Sequence, residues 1–162
     1  MRLRRTAELI DVSISMPSSH IASYFHIVFS TKDRMRLVSP EWESRLHSYL
    51  GGIVKGLGAV PLEIGGIEDH VHVLVSLKSK HRLDYFVRDL KADSSEWVRR
   101  EITRIFEWQK GYGAFSVSPT ALEAVRTYIR SQRQHHSKID FRTEYLDLLT
   151  KADVEFDEKY LW

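Results

Sequence analysis

Two apolar periods divide most of the chain into strands and helices. Residues 1–19 follow neither: basic, polar and apolar residues succeed one another without a repeat, and Met16-Pro17-Ser18-Ser19 reads as a linker, so a flexible N-terminal extension is expected there. From Tyr24 to Thr31 the repeat is two residues. Phe25, Ile27 and Phe29 fall on one face and Tyr24, His26 and Val28 on the other, which predicts a strand buried on both sides. Ser39-Pro40 opens a helix carrying Trp42, Leu46, Tyr49, Leu50 and Ile53, closed by Gly56 and Gly58. Ala59 to Ile64 predicts a second strand, Gly65-Gly66 and Glu68-Asp69 a turn, and His70 to Leu77 a third strand. Leu83, Phe86, Val87, Leu90, Trp97, Val98, Ile102 and Ile105 mark a long amphipathic helix from Leu83 to Phe106, softened at Asp93-Ser94-Ser95. Ala114 to Val117 predicts a fourth strand at a sheet edge. A last helix starts at Ser118 to Thr120 and runs to about His135. The order β-α-β-β-α-β-α is that of an α+β, ferredoxin-like (split βαβ) fold: a four-stranded antiparallel sheet with an additional C-terminal helix. One sheet face is left for a ligand or a further helix.

Composition narrows the chemistry. At 162 residues with 43% apolar content, the chain suits one compact domain, placed at 20–138. From Ile139 onward seven acids face three bases, leaving the rest at +6, so residues 139–162 are expected to form an acidic tail packed on that domain. The mildly basic body permits a nucleic-acid partner without demanding one. With no cysteine, any metal must rely on His, Asp, Glu or amide ligands. No apolar run approaches the roughly 20 residues of a membrane span, and the basic start lacks the apolar stretch of a signal peptide; a soluble, intracellular protein without a membrane partner is expected.

Two places carry candidate chemistry. In His70-Val71-His72 the strand period puts both imidazoles on one face, about 6.5–7 Å apart at Cα, close enough to converge on one ion. Asp69 and Glu68 supply carboxylates nearby. His26 could share that face, whereas His135-His136 is explained by capping of the last helix. On that helix Leu122, Val125 and Ile129 form the apolar stripe, and Tyr128 and Gln132 stack one turn apart at its border. A phenol so placed is positioned by packing yet can present its oxygen to a cleft. Arg126, Arg130 and Arg133 on the helix and Lys32, Arg34 and Arg36 in the first loop are candidates for DNA phosphates, with Trp108, Tyr112 or Phe115 available to stack on unpaired bases.

These pieces together resemble a known family. His70-Val71-His72 after Glu68-Asp69, the segment Trp108 to Ser118, Tyr128-Ile129 followed by Gln132 and His135-His136, and the ending Tyr160-Leu161-Trp162 resemble the single-tyrosine HUH transposases of small bacterial insertion sequences, over roughly residues 20–162. The resemblance implies that His70, His72 and Gln132 hold a divalent metal, Mg²⁺ or Mn²⁺. It implies that Tyr128 attacks the scissile phosphate to give a 5′-phosphotyrosine, and that the substrate is a single-stranded DNA hairpin at an element end. It further implies a bacterial cytoplasmic enzyme, homodimeric through pairing of the edge strand, with Tyr128 opposite the partner's histidines or its own. Two rivals stay open. A catalytically silent hairpin-binding module on the same fold predicts binding indifferent to Tyr128→Phe, and a metal-dependent phosphodiesterase would activate water and form no covalent adduct.

Overall fold

The computed structural model describes residues 19–162; the extension expected over 1–19 lies, but for Ser19, outside the described residues. Strands β1 (Tyr24–Ser30), β2 (Val60–Ile67), β3 (His70–Ser76) and β4 (Gly113–Val117) form one sheet in the order β2-β3-β1-β4, each neighbouring pair antiparallel. Helices α1 (Glu43–Gly56) and α2 (Leu83–Glu101) supply Leu46, Leu50, Val54, Phe86, Val87, Leu90 and Val98 to a single core with Ile27 and Phe29 of β1 and Val71, Val73 and Val75 of β3. The mixed α/β architecture with a four-stranded antiparallel sheet is the one the element order predicts. Because β1 and β3 occupy the centre, their alternate residues point to a second face, and there His26, His70 and His72 are all buried. That face carries α3 (Leu122–Arg130), α4 (Gln132–His135) and α5 (Phe141–Lys151).

Several boundaries differ from the pattern reading. Gly65 and Gly66 are not a turn but belong to β2, which continues to Ile67. The reason is tertiary: a Cβ on Gly65 would lie 2.6 Å from the Ile129 carbonyl oxygen, so only glycine lets α3 lie this close to the sheet. Gly65→Ala is therefore expected to lift α3, costing about 1–3 kcal/mol of stability and displacing Tyr128; urea unfolding checks the first effect. The second helix stops at Glu101 rather than Phe106. Ile102 and Thr103 both donate to the Val98 carbonyl, Ile105 is exposed, and Phe106 and Trp108 turn back into the core. At Asp93-Ser94-Ser95 the helix is unbroken, since Ser94 Oγ bonds back to the Leu90 carbonyl and accepts from Trp108 Nε1.

The last predicted helix divides at Ser131. Its backbone N–H is shared between the Thr127 and Tyr128 carbonyls, and its hydroxyl donates to the latter, a tightened end that closes α3 before α4 starts. Within 139–162, Asp140 caps α5 by accepting from the Thr143 N–H, and Phe141, Glu144 and Leu149 are buried. Among the described residues no helix is long and apolar enough to cross a membrane.

Candidate metal and nucleophile site

The site starts from two adjacent positions of β3. His70 and His72 are fully buried, with ring centroids 4.9 Å apart. Each ring is held from behind through Nδ1: His70 Nδ1 lies 2.6 Å from Asp69 Oδ1, and His72 Nδ1 2.8 Å from Nε2 of His26 on β1. An ionised carboxylate only accepts, so His70 Nδ1 carries the proton. Its Nε2 then presents a lone pair, when neutral, to the layer of α3 to α5.

Gln132 and Glu144 meet that lone pair. Gln132 Oε1 lies 3.1 Å from His70 Nε2 and 3.0 Å from His136 Nε2, while its amide donates to Glu144 Oε1 at 3.1 Å. The donation fixes which end of the amide is oxygen, so neutral His70 would oppose one acceptor to another. Glu144 Oε2 is 3.4 Å from His70 Nε2 and 2.8 Å from His136 Nε2, and Oε1 is 3.4 Å from His72 Nε2. One donor atom from each of His70, His72, His136 and Glu144 lies within 4.8 Å of the other three. His72 Nε2 and Glu144 Oε2 are buried without a hydrogen-bond partner. Convergent lone pairs, orphaned buried donors and a carboxylate are what a divalent cation satisfies, so the residues present fit a metal.

Electrostatics agree with that reading. Burial would raise the Glu144 carboxyl, yet the adjacent rings of His136 and His72 and the other imidazole around them hold it well below the usual carboxylate range. His136 moves the other way. Burial works against its charged form, but the contact with Glu144 outweighs it and the ring titrates above its ordinary value. When protonated, His136 would put beside Glu144 the positive charge that a bound cation would supply. Burial, then the charge of neighbouring His72, pushes His26 down to about 3, and burial pushes His72 to about 4.

His26 therefore stays neutral in the folded chain at a pH where the unfolded chain, titrating near 6.5, takes up a proton. Stability falls as pH drops through that window, and His26 alone should remove about 2 kcal/mol between pH 7 and pH 5. Urea unfolding at both pH values checks this, with His26→Gln expected to show the smaller loss.

Tyr128 reaches the same cluster from α3. Its hydroxyl donates to Glu144 Oε1, and its ring stands edge-on to His72 at 5.7 Å, with His135 at 5.3 Å. Burial, followed by the Glu144 contact, raises the phenol above its ordinary range. In its resting form it is a protonated, hydrogen-bonded group.

Sequence reasoning therefore named His70, His72, Tyr128 and Gln132, and the structure brings these four side chains together in one chain. It missed Glu144 altogether, and it assigned His136 to helix capping, whereas that ring is nearly buried within the cluster. The candidate phosphate contacts are arranged differently from a free basic face. Arg126 donates to the Leu62 carbonyl, Arg130 pairs with Glu63, Arg133 bridges Glu43 and Glu68, and Lys32 pairs with Glu107. The three arginine contacts fasten α3 and α4 to β2, to the turn that follows it and to α1. Ion pairs with side chains this exposed are weak, about 0–1 kcal/mol. Arg34 lies over the ring of Trp162 instead. Burial works against the Glu68 carboxylate, but a backbone hydrogen bond and then Arg133 lower that carboxyl, with Arg36 adding a smaller pull.

Two solved structures share this architecture. One is a protein from Deinococcus radiodurans R1 assigned as a transposase, 20% identical, with a TM-score of 0.59 over 74% of this chain and 98% of that one. The other is a REP-associated tyrosine transposase bound to a REP hairpin, 10% identical, with a TM-score of 0.57 over 75% of this chain and 73% of that one. No curated protein sequence matches the chain. At these identities the likeness establishes the fold. The family follows from sequence: the profile described as "Transposase IS200 like" matches residues 19–132, a stretch that includes His70, His72, Tyr128 and Gln132, and the chain belongs to that transposase family.

Proposed function

We propose that this protein nicks and rejoins single-stranded DNA at hairpin-marked element ends through a 5′-phosphotyrosine on Tyr128, with a divalent cation held by His70 and His72. One observation carries the reading: the Tyr128 hydroxyl and the two imidazoles face the same buried carboxylate, Glu144. Nucleophile and metal donors are therefore within one site of one chain. Gln132 Oε1, His136 and Glu144 are the further donors available. A mixed nitrogen and oxygen set suits Mn²⁺, and Mg²⁺ where carboxylate, amide and water dominate.

When bound, the ion would place positive charge on a non-bridging oxygen of the scissile phosphate. The remaining work falls to the chain. Asp69 and His26 hold the two imidazoles with Nε2 forward. Gly65 and the arginine contacts of α3 fix the phenol against the cluster. Glu144, which already accepts the hydroxyl hydrogen bond, is placed to receive the proton as the Tyr128 oxygen forms its bond to phosphorus. A bound cation would supply the positive charge that eases proton loss from a phenol whose acidity burial and Glu144 weaken. The phosphorus–O3′ bond breaks, and the departing oxygen takes a proton to become a free 3′-hydroxyl. Attack of a 3′-hydroxyl on the phosphotyrosine reverses these steps and rejoins strands without ATP.

The solved REP-associated relative is bound to a hairpin, which supports the same substrate class here. The intact His70, His72, Tyr128 and Gln132 set favours catalysis over a silent binding module, and a phosphodiesterase using water would have no need of a phenol at this position. Because β4 is an edge strand, pairing of two chains along it belongs to this reading, each copy keeping its own tyrosine with its own histidines. The test is to incubate the protein with labelled single-stranded hairpin DNA and Mn²⁺ and separate the products on a denaturing gel. A protein-linked DNA species that chelator prevents is expected; nicking without such a species would overturn the proposal in favour of water as nucleophile.

A further inference from the structure

A second constructed feature lies beside the histidines. The guanidinium groups of Arg34 and Arg142 both lie over the indole ring of Trp162, 4.8 Å and 5.2 Å from its centroid, with Tyr145 edge-on at 6.2 Å. Its Nε1 is buried and has no hydrogen-bond partner. A slot made for indole would be expected to offer that donor an acceptor. The flat ring is well held while its polar edge is not.

The slot adjoins the proposed reaction centre. One wall is Phe141, whose ring stacks on His70 with centroids 4.2 Å apart, and another is Ser30, the register partner of His70. An opening of about 130 Å³ persists beside the indole, bordered by Asp33, Arg34 and Gln109. Asp33 and Arg34 both adopt left-handed backbone, at φ 52° and 53°, and the turn is held by the Asp33 N–H donating to Gln109 Oε1 at 3.0 Å. Two successive non-glycine residues in that region are unfavourable and need the surrounding contacts to hold them. What the cost achieves is a guanidinium laid over a ring.

A planar site faced by two guanidiniums and an aromatic edge, rimmed by a carboxylate, an amide and a hydroxyl, has the chemistry that holds an unpaired nucleobase by stacking and edge hydrogen bonds. The bicyclic indole matches a purine in outline. We propose that this slot binds an unpaired purine of the strand entering the histidine site, and that Trp162 is its internal occupant, displaced as the strand binds. The inference rests on single-stranded DNA being the substrate.

The experiment measures affinity of the full chain, in EDTA so that nothing is cut, for a blunt DNA hairpin and for the same hairpin with a short single-stranded purine flank. Wild type, Trp162→Ala, Trp162→Phe and Arg34→Ala are compared by fluorescence anisotropy. Stacking of one base is worth enough to change affinity about 10-fold. Trp162→Ala should therefore tighten binding of the flanked hairpin by about that factor and leave the blunt hairpin unchanged. Trp162→Phe, a smaller occupant that keeps the packing, should fall between, and Arg34→Ala should lose most of the flank's contribution. Flanked and blunt hairpins bound alike in all four proteins, or weaker flank binding by Trp162→Ala, would overturn the slot while leaving the hairpin reading intact. Failure to bind either hairpin would overturn both.

Discussion

Tyr128→Phe is expected to reduce nicking of hairpin DNA by at least about 1,000-fold while leaving hairpin affinity unchanged. The substitution removes one oxygen atom. The ring keeps its edge-on contacts with His26, His72 and His135, and Glu144 Oε1 still accepts from the Gln132 amide, so the substitution strands no further carboxylate oxygen. Loss of one hydrogen bond is worth about 1 kcal/mol, too little to unfold the domain, so an inactive Tyr128→Phe should remain folded by circular dichroism. Single-turnover nicking assays with saturating Mn²⁺, paired with anisotropy binding, separate the two quantities. Residual nicking within about 10-fold of wild type would mean that a water molecule attacks instead.

The second large effect concerns His72. Its Nε2 is buried, points at Glu144 and has no hydrogen-bond partner, so that atom gains most when a cation binds. Groups that merely orient a metal ligand typically account for 10–100-fold in affinity. His72→Ala removes a ligand itself, and Mn²⁺ affinity should fall by at least about 100-fold in titration calorimetry. Nicking should disappear with it. Removing the ring also strands His26, whose Nε2 loses its partner, and a buried unpaired group costs about 1–3 kcal/mol. The apo variant should therefore also melt earlier. His26→Gln provides the contrast: it disturbs the orientation of His72 but not the ligand set, and should weaken Mn²⁺ binding by a smaller factor than His72→Ala.

The order and type of the elements were legible because each follows from a period or a punctuating residue. The two-residue repeat of β3 puts His70 and His72 on one face, and that of β1 leaves His26 able to share it. The angle between Tyr128 and Gln132 about their helix was equally readable, and the break at Ser131 did not separate them because the chain resumes helix at once. What escaped was set by distant contacts. Gly65-Gly66 resembles a turn locally, and only the approach of the Ile129 carbonyl explains why two glycines lie within a strand.

Glu144 escaped for a different reason. In a stretch with seven acids, a single carboxylate does not stand out. The available signal was its position: Phe141, Glu144, Tyr145 and Leu148 recur at helical spacing behind the N-cap Asp140, and an acid on an apolar stripe calls for a buried partner. His136 was explained by the electrostatics of a helix end, an argument that holds for any histidine there and so could not distinguish this one. Glu144 enters the site because α5 folds back over the sheet, and His136, at the end of α4, meets it there; that long-range event is encoded by no local period.

The account stands on a covalent bond between one phenolic oxygen and DNA. Wild-type protein trapped with hairpin DNA and Mn²⁺, digested with protease and nuclease and analysed by tandem mass spectrometry, should yield a peptide carrying a nucleotide phosphate on Tyr128. A nucleotide found on any other residue, or 3′-hydroxyl and 5′-phosphate ends released with no modified peptide, would contradict it.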